Sequence, residues 1–172
     1  MSLLEDTVAP RRCECIIGFA QDSMGLNQGG FMRDRLIGTW KLVSAEREEI
    51  PSGAKVDQLG PNPTGYINYA PDGRMIAIIA RGDRARPAGA RPTQAEAEAL
   101  HKSVLSYAGT YTIDGNAVTH HVDISWNESW TGTQQTRIFH LEGERLHLTT
   151  QPSPDPLDGR MSVRRMVWEK VK

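Results

Sequence analysis

Leu36-Ile37-Gly38-Thr39-Trp40-Lys41-Leu42-Val43-Ser44-Ala45-Glu46-Arg47 reads as the first strand of a closed antiparallel barrel. Trp40, Leu42 and Ser44 alternate with Lys41, Val43 and Ala45, which is the period of two that a half-buried strand needs. Gly38 lets the chain enter the strand at a tight angle, since it has no Cβ to clash. Trp40 is placed to plug one end of whatever the sheet encloses. The alternative is an ordinary core tryptophan near a strand start.

Downstream of this strand the chain continues in hairpins. Residues 50–53 read as a turn, and 59–65 as a rigid loop whose prolines fix φ and remove ladder donors. Tyr66-Ile67-Asn68-Tyr69 is a strand, Pro71-Asp72-Gly73 a turn, and residues 74–80 the returning partner. Residues 81–92 form a loop in which Arg81, Arg84, Arg86 and Arg91 are spread out and solvated. Thr93-Gln94-Ala95-Glu96 is a capping box. It opens a short helix to about residue 105, with Ala97, Leu100 and Val104 on one apolar face. Further strands are expected over 106–113, 117–124, 134–141, 145–150 and 161–168. Asp114-Gly115-Asn116 and Glu142-Gly143-Glu144 turn the chain, and Trp126 to Gly132 is an aromatic loop. The fold class is therefore all-β: a closed antiparallel barrel of about 8–10 strands with one short α-helix inserted between strands.

Residues 1–31 lack this periodicity and end in the linker-like Asn27-Gln28-Gly29-Gly30. They are read as an N-terminal extension outside the barrel, with residues 32–172 as the barrel domain; the alternative is that Ile16, Ile17 and Phe19 dock. A chain of 172 residues is long enough for one domain with a real core. The net charge of -1 offers no basic surplus for nucleic acid. No apolar run approaches the ~18 residues of a membrane span. Cys13 and Cys15 are too close in sequence for an unstrained mutual disulfide. They fit a reducing compartment, so a cytoplasmic location is expected. Two thiolates without further ligands nearby do not make a metal site, and neither a metal nor a cofactor is expected.

The ordered motifs Leu36-Ile37-Gly38-Thr39-Trp40-Lys41-Leu42-Val43-Ser44, Gly60-Pro61-Asn62-Pro63-Thr64-Gly65-Tyr66-Ile67-Asn68-Tyr69 and Pro71-Asp72-Gly73-Arg74-Met75 carry a resemblance. So do Tyr107-Ala108-Gly109-Thr110-Tyr111, Val118-Thr119-His120-His121-Val122 and Val167-Trp168-Glu169. Together they resemble the lipocalin-like domain family of bacteria and fungi, calycin-type barrels, over about residues 36–170. The resemblance implies a barrel with an internal cavity and does not imply a reaction. It also implies that a basic side chain of the last strand packs over Trp40, for which Arg164 and Arg165 are the candidates.

Candidate site residues follow from strand parity. His120 shares an apolar face with Val118, Val122 and Ile124, so it is expected inside the barrel, with His121 outside. An inward imidazole serves as a general acid or base, or anchors a ligand; the alternative is a core histidine satisfied by a tyrosine or a carbonyl. Tyr107, Tyr111 and Tyr66 are expected to line the same pocket, and an inward Arg137 would bind a carboxylate or phenolate. Trp126 and Trp130 guard a mouth or cap the barrel. No phosphate loop or nucleophile elbow is present. The expected partner is a small hydrophobic or aromatic molecule bound in the cavity. The oligomeric state stays open, a homodimer included. The alternative is a cyclase or isomerase acting on a polyketide- or terpenoid-like substrate with His120 as acid/base, and an acid–base pair beside His120 would favour it. A third alternative is an interaction domain whose interior is filled by side chains. His120→Phe is expected to weaken binding while sparing the fold.

Overall fold

The computed structural model describes residues 32–57, 59–156 and 158–172. The expectations for Cys13, Cys15, Ile16, Ile17 and Phe19 lie outside the described residues.

Among the described residues from Gly38 onward, ten strands and one α-helix follow in chain order. They are β1 (Gly38–Glu49), β2 (Lys55–Val56), β3 (Thr64–Tyr69), β4 (Arg74–Ala80), α1 (Gln94–Lys102), β5 (Val104–Asp114), β6 (Ala117–Ser125), β7 (Gln134–Glu142), β8 (Arg145–Thr150), β9 (Ser153–Pro154) and β10 (Met161–Lys170). They form one antiparallel sheet in the order β2-β1-β3-β4-β5-β6-β7-β8-β10-β9, closed by pairing of β1 with β10. The short strands β2 and β9 flank the closure, and the other eight make the barrel wall. Closure leaves no long edge unpaired. The hairpin turns sit where Gly73, Gly115 and Gly143 supply the positive φ such turns require.

Two bulges decide which side chains enter the barrel. On β1, Leu42 pairs with Trp168 and Ser44 with Val167, so Val43 is an extra residue. Trp40 and Leu42 point inward, Val43 and Ser44 are both exposed, and Arg47 is again buried. The expected sharing of one face by Trp40 and Ser44 therefore fails beyond Leu42. On β6, Val122 faces Gly109 and Ile124 faces Ala108, leaving Asp123 unpaired. Ile124 is turned out and is 65% exposed, against the expectation that it shares the face of His120. Gly109 is required opposite this bulge: a Cβ there would lie 1.9 Å from the His121 carbonyl oxygen.

The barrel's closed end is built around Trp40. Residues 32–36 form a helical turn that buries Leu36 beneath the ring. Trp40 Nε1 donates to the Leu36 carbonyl at 2.8 Å. The basic group over the ring is Lys170, whose Nζ lies 4.4 Å from the ring centroid and also donates to the carbonyls of Arg35 and Ile37. The register explains this, since Trp40 pairs with Lys170 while Arg164 and Arg165 pair with Arg47 and Glu46 further along β1. Arg165 points outward to Glu48 at 2.6 Å, and Arg164 is buried elsewhere in the interior. Neither fills the role expected of it. Tyr69, Phe139, Leu146, Leu148 and Trp168 complete a core of nearly inaccessible side chains. Each such burial contributes about 1.5–3 kcal/mol relative to exposure.

Helix α1 starts at the capping box, with Glu96 N donating to Thr93 Oγ1 at 3.3 Å and Thr93 N to Glu96 Oε2 at 2.7 Å. It ends at Lys102, before the expected residue 105, because Val104 and Leu105 are taken into β5 beside β4. None of its residues is buried. Among the described residues, no helix is long and apolar enough to cross a membrane.

Candidate functional site

Strand parity on β6 brings His120 inside with Val118 and Val122, and its side chain is wholly buried. Both ring nitrogens are engaged: Nε2 with the Tyr69 hydroxyl at 2.8 Å and Nδ1 with the Tyr107 hydroxyl at 2.9 Å. Burial holds the imidazole pKa well below the ordinary 6.5, and the nearby Arg137 pushes the same way. His120 is therefore neutral, with one donor and one acceptor nitrogen.

The tyrosines settle which nitrogen carries the proton. Tyr69 is fully buried, and its hydroxyl contacts only His120 among the described residues. Its proton is satisfied only if it donates to Nε2. Nδ1–H then donates to the Tyr107 oxygen, which frees the Tyr107 proton. Tyr107 borders the cavity described next and has room to donate there. The reverse tautomer would strand a buried hydroxyl proton at Tyr69, at about 1–3 kcal/mol.

The cavity is narrow, with an interior volume of about 50 Å³; the space between its lining atoms reaches about 770 Å³ only when the solvent-open mouth is included. Ile67, Ala77, Ile79, Leu148 and Trp168 supply apolar wall, while Tyr107, Arg137, Arg164 and Thr150 supply the polar part. Trp126 and Trp130 stand at right angles, 5.4 Å apart between centroids, and Trp130 meets Tyr107 edge-on at 5.8 Å. Trp126 Nε1 donates to the His101 carbonyl at 3.2 Å, tying the aromatic loop to the end of α1. Lys102, Glu46, Leu59 and Leu105 also border the cavity.

Of the residues expected to border the pocket, Tyr107 and Arg137 do so. His120 stands one layer behind the wall, in contact with Tyr107. Tyr111 is further back still; it packs edge-on against Tyr69 at 5.0 Å and donates to the Ala70 carbonyl at 3.0 Å. Tyr66 is on the outer face and 45% exposed, because Gly65, Ile67 and Tyr69 are the inward residues of β3. Tyr69 is the inward tyrosine of that strand. Setting Ile67 inward would have found it, since the two share parity.

Three arginines also point inward: Arg47, Arg137 and Arg164 are 4%, 5% and 9% exposed. Arg47 is ion-paired with Glu49 at 2.7 Å, Asp158 at 2.8 Å and Asp155 at 3.4 Å. These contacts hold the Asp158 and Glu49 carboxyls below their usual range. Arg137 Nη1 donates to the Thr136 carbonyl at 3.0 Å, and the Arg164 backbone N–H donates to Thr150 Oγ1 at 2.9 Å. The buried Nε atoms of Arg137 and Arg164 have no acceptor. Burial, and then Arg137, lower the pKa of Arg164. The inward place of Arg164 shares the parity of Trp168, which was a usable signal; that of Arg47 depends on the β1 bulge, which was not. Among the described residues, no group of three or more His, Cys, Asp or Glu side chains is arranged to hold a metal ion.

An eight-stranded wall closed on itself around an interior cavity defines a calycin-type barrel. The lipocalin-like domain model matches residues 37–171, and the chain belongs to that family. The 4'-hydroxy-3'-methoxypropiophenone carrier protein ppsC of Aspergillus oryzae is 29% identical over 87 residues, covering 46% of this chain and 78% of that protein. A lipocalin-like protein from Bacteroides uniformis has a similar crystal structure, with a TM-score of 0.42 and 16% identity over 80% of this chain and 99% of that one. An uncharacterized protein from Bacteroides eggerthii gives a TM-score of 0.38 and 15% identity over 79% and 99%.

Proposed function

We propose that this protein binds and carries a small hydrophobic or aromatic molecule in the barrel cavity. The observation that carries this is the lining itself: apolar walls, two perpendicular tryptophans, and a few polar groups, namely Tyr107, Thr150, Arg137 and Arg164, with Glu46 and Lys102 also bordering the cavity. Such a surface excludes water from an apolar body and orients it by a few polar contacts. The carrier name of the fungal relative supports the same reading. The cytoplasm is the location we propose.

The cyclase or isomerase alternative needs a proton-transfer group within hydrogen-bond reach of the substrate. Both His120 nitrogens are engaged by tyrosines, and the ring is not in the cavity wall. This favours a role for His120 in positioning Tyr107. Titration with 4'-hydroxypropiophenone, followed by tryptophan fluorescence, tests the carrier reading. Saturable quenching that is weakened in Trp130→Ala is expected. A flat signal, with no apolar compound retained in native mass spectrometry of protein from its own host, would refute it.

A further inference from the structure

The charges inside the barrel are unevenly paired. Arg47 occupies the carboxylates of Glu49, Asp155 and Asp158. Asp155 is felt electrostatically by Arg164 but makes no ion pair with it. Glu46, at the rim, is 3.1 Å from Lys55 and also faces Arg165. Among the described residues, Arg137 and Arg164 thus have no carboxylate within ion-pair distance, although each is at least nine-tenths buried. An unpaired buried charge is strongly unfavourable, and a guanidinium does not escape by losing its proton. Both side chains reach the cavity wall beside Tyr107, whose hydroxyl proton is free to point the same way.

The geometry points to a ligand with an acidic oxygen, a carboxylate or phenolate, seated among Arg137, Arg164 and Tyr107 with its apolar body along the aliphatic wall and the two tryptophans. This rests on the carrier reading and narrows it to amphipathic organic anions. The anion supplies the close counter-charge that Arg137 and Arg164 lack. Planar guanidinium donors match a carboxylate in two-point contact, and the desolvated setting strengthens the pairing.

The test is calorimetric titration of the full chain with paired probes: decanoate against 1-decanol, and 4'-hydroxypropiophenone, above its phenol pKa, against its methyl ether. Acetate is the control. The anionic member of at least one pair should bind about 10–100-fold more tightly than its neutral partner, as charge-assisted contacts imply. The responding pair tells carboxylate from phenolate. Arg137→Met and Arg164→Met should each remove most of that preference while leaving the neutral probe within about threefold. Neither should lower the thermal midpoint of the ligand-free protein, because each removes an unpaired buried cation; a purely structural arginine would do the opposite. Equal affinity for both members of each pair in the wild-type protein would overturn the anion site and leave the carrier reading standing, whether or not the variants fold. Acetate binding as tightly as decanoate would mean an adventitious ion only and would also overturn it. Failure of every apolar probe would remove both.

Discussion

His120→Phe should destabilise the barrel rather than spare it. The imidazole is wholly buried and bridges two hydroxyls. Phenylalanine leaves Tyr69 with a buried hydroxyl and no partner, at about 1–3 kcal/mol. Tyr107 escapes most of this penalty by turning to the cavity. The larger ring adds an overpacking strain of about 1–3 kcal/mol. The expected loss is therefore about 2–6 kcal/mol, measured as the shift in urea unfolding free energy at unchanged slope. The double variant Tyr69→Phe/His120→Phe removes the stranded hydroxyl as well. It should be more stable than the sum of the single losses implies, by about 1–2 kcal/mol of coupling. A single variant within about 0.5 kcal/mol of the parent, or strictly additive losses, would show that the Tyr69–His120 bond is not the link argued here.

Other outcomes follow from the same geometry. Below pH 6.5 the unfolded chain protonates His120, whereas the folded chain, with its pKa held well below that value, does not. Stability should thus be full above the ordinary pKa and fall on acidification by up to about 1.4 kcal/mol per pH unit until the folded pKa is reached; in a pH series, His120→Gln should flatten this component. Trp40→Ala should cost about 3–5 kcal/mol, since the ring is 1% exposed; an unmoved denaturation midpoint would remove its role as a plug. A chain starting at Met32 should melt with the full-length chain, since the barrel closes between residues 38 and 170. A large fall in its melting temperature would show that upstream residues contribute to the core.

The hairpin series was legible because each turn has local chemistry and each strand a period of two. Asp114-Gly115 and Glu142-Gly143 mark turns whatever surrounds them, and the box at Thr93 names its own helix start. Parity placed His120, Tyr107, Tyr111 and Arg137 inside. It failed wherever an extra residue broke it, as at Val43 and Asp123, because a bulge depends on the register of two strands and is not written in either alone. The partner of Trp40 is hidden from the sequence for a related reason. Lys170 meets Trp40 through β1–β10 pairing across most of the chain, and no local pattern in Arg164-Arg165 excludes those two. Parity with Ile67 marks Tyr69, and not Tyr66, as the inward tyrosine of β3. That His120 has both nitrogens filled was not legible, since the two hydroxyls come from strands 51 and 13 residues away.

Val43 also bears on how such a chain changes length over generations. It is a spare residue in the ladder, pairing with nothing on β10 and projecting to solvent. Loss of its codon would let the Leu42–Trp168 pair be followed directly by Ser44–Val167, with Ala45 and Arg47 still turned inward. The same one-codon loss within a regular stretch, such as Ile76 on β4, would invert every side chain beyond it. A bulge is therefore a tolerant point for insertion and deletion in an otherwise unforgiving wall, where the strand can shorten while the chemistry it presents to the interior is inherited unchanged.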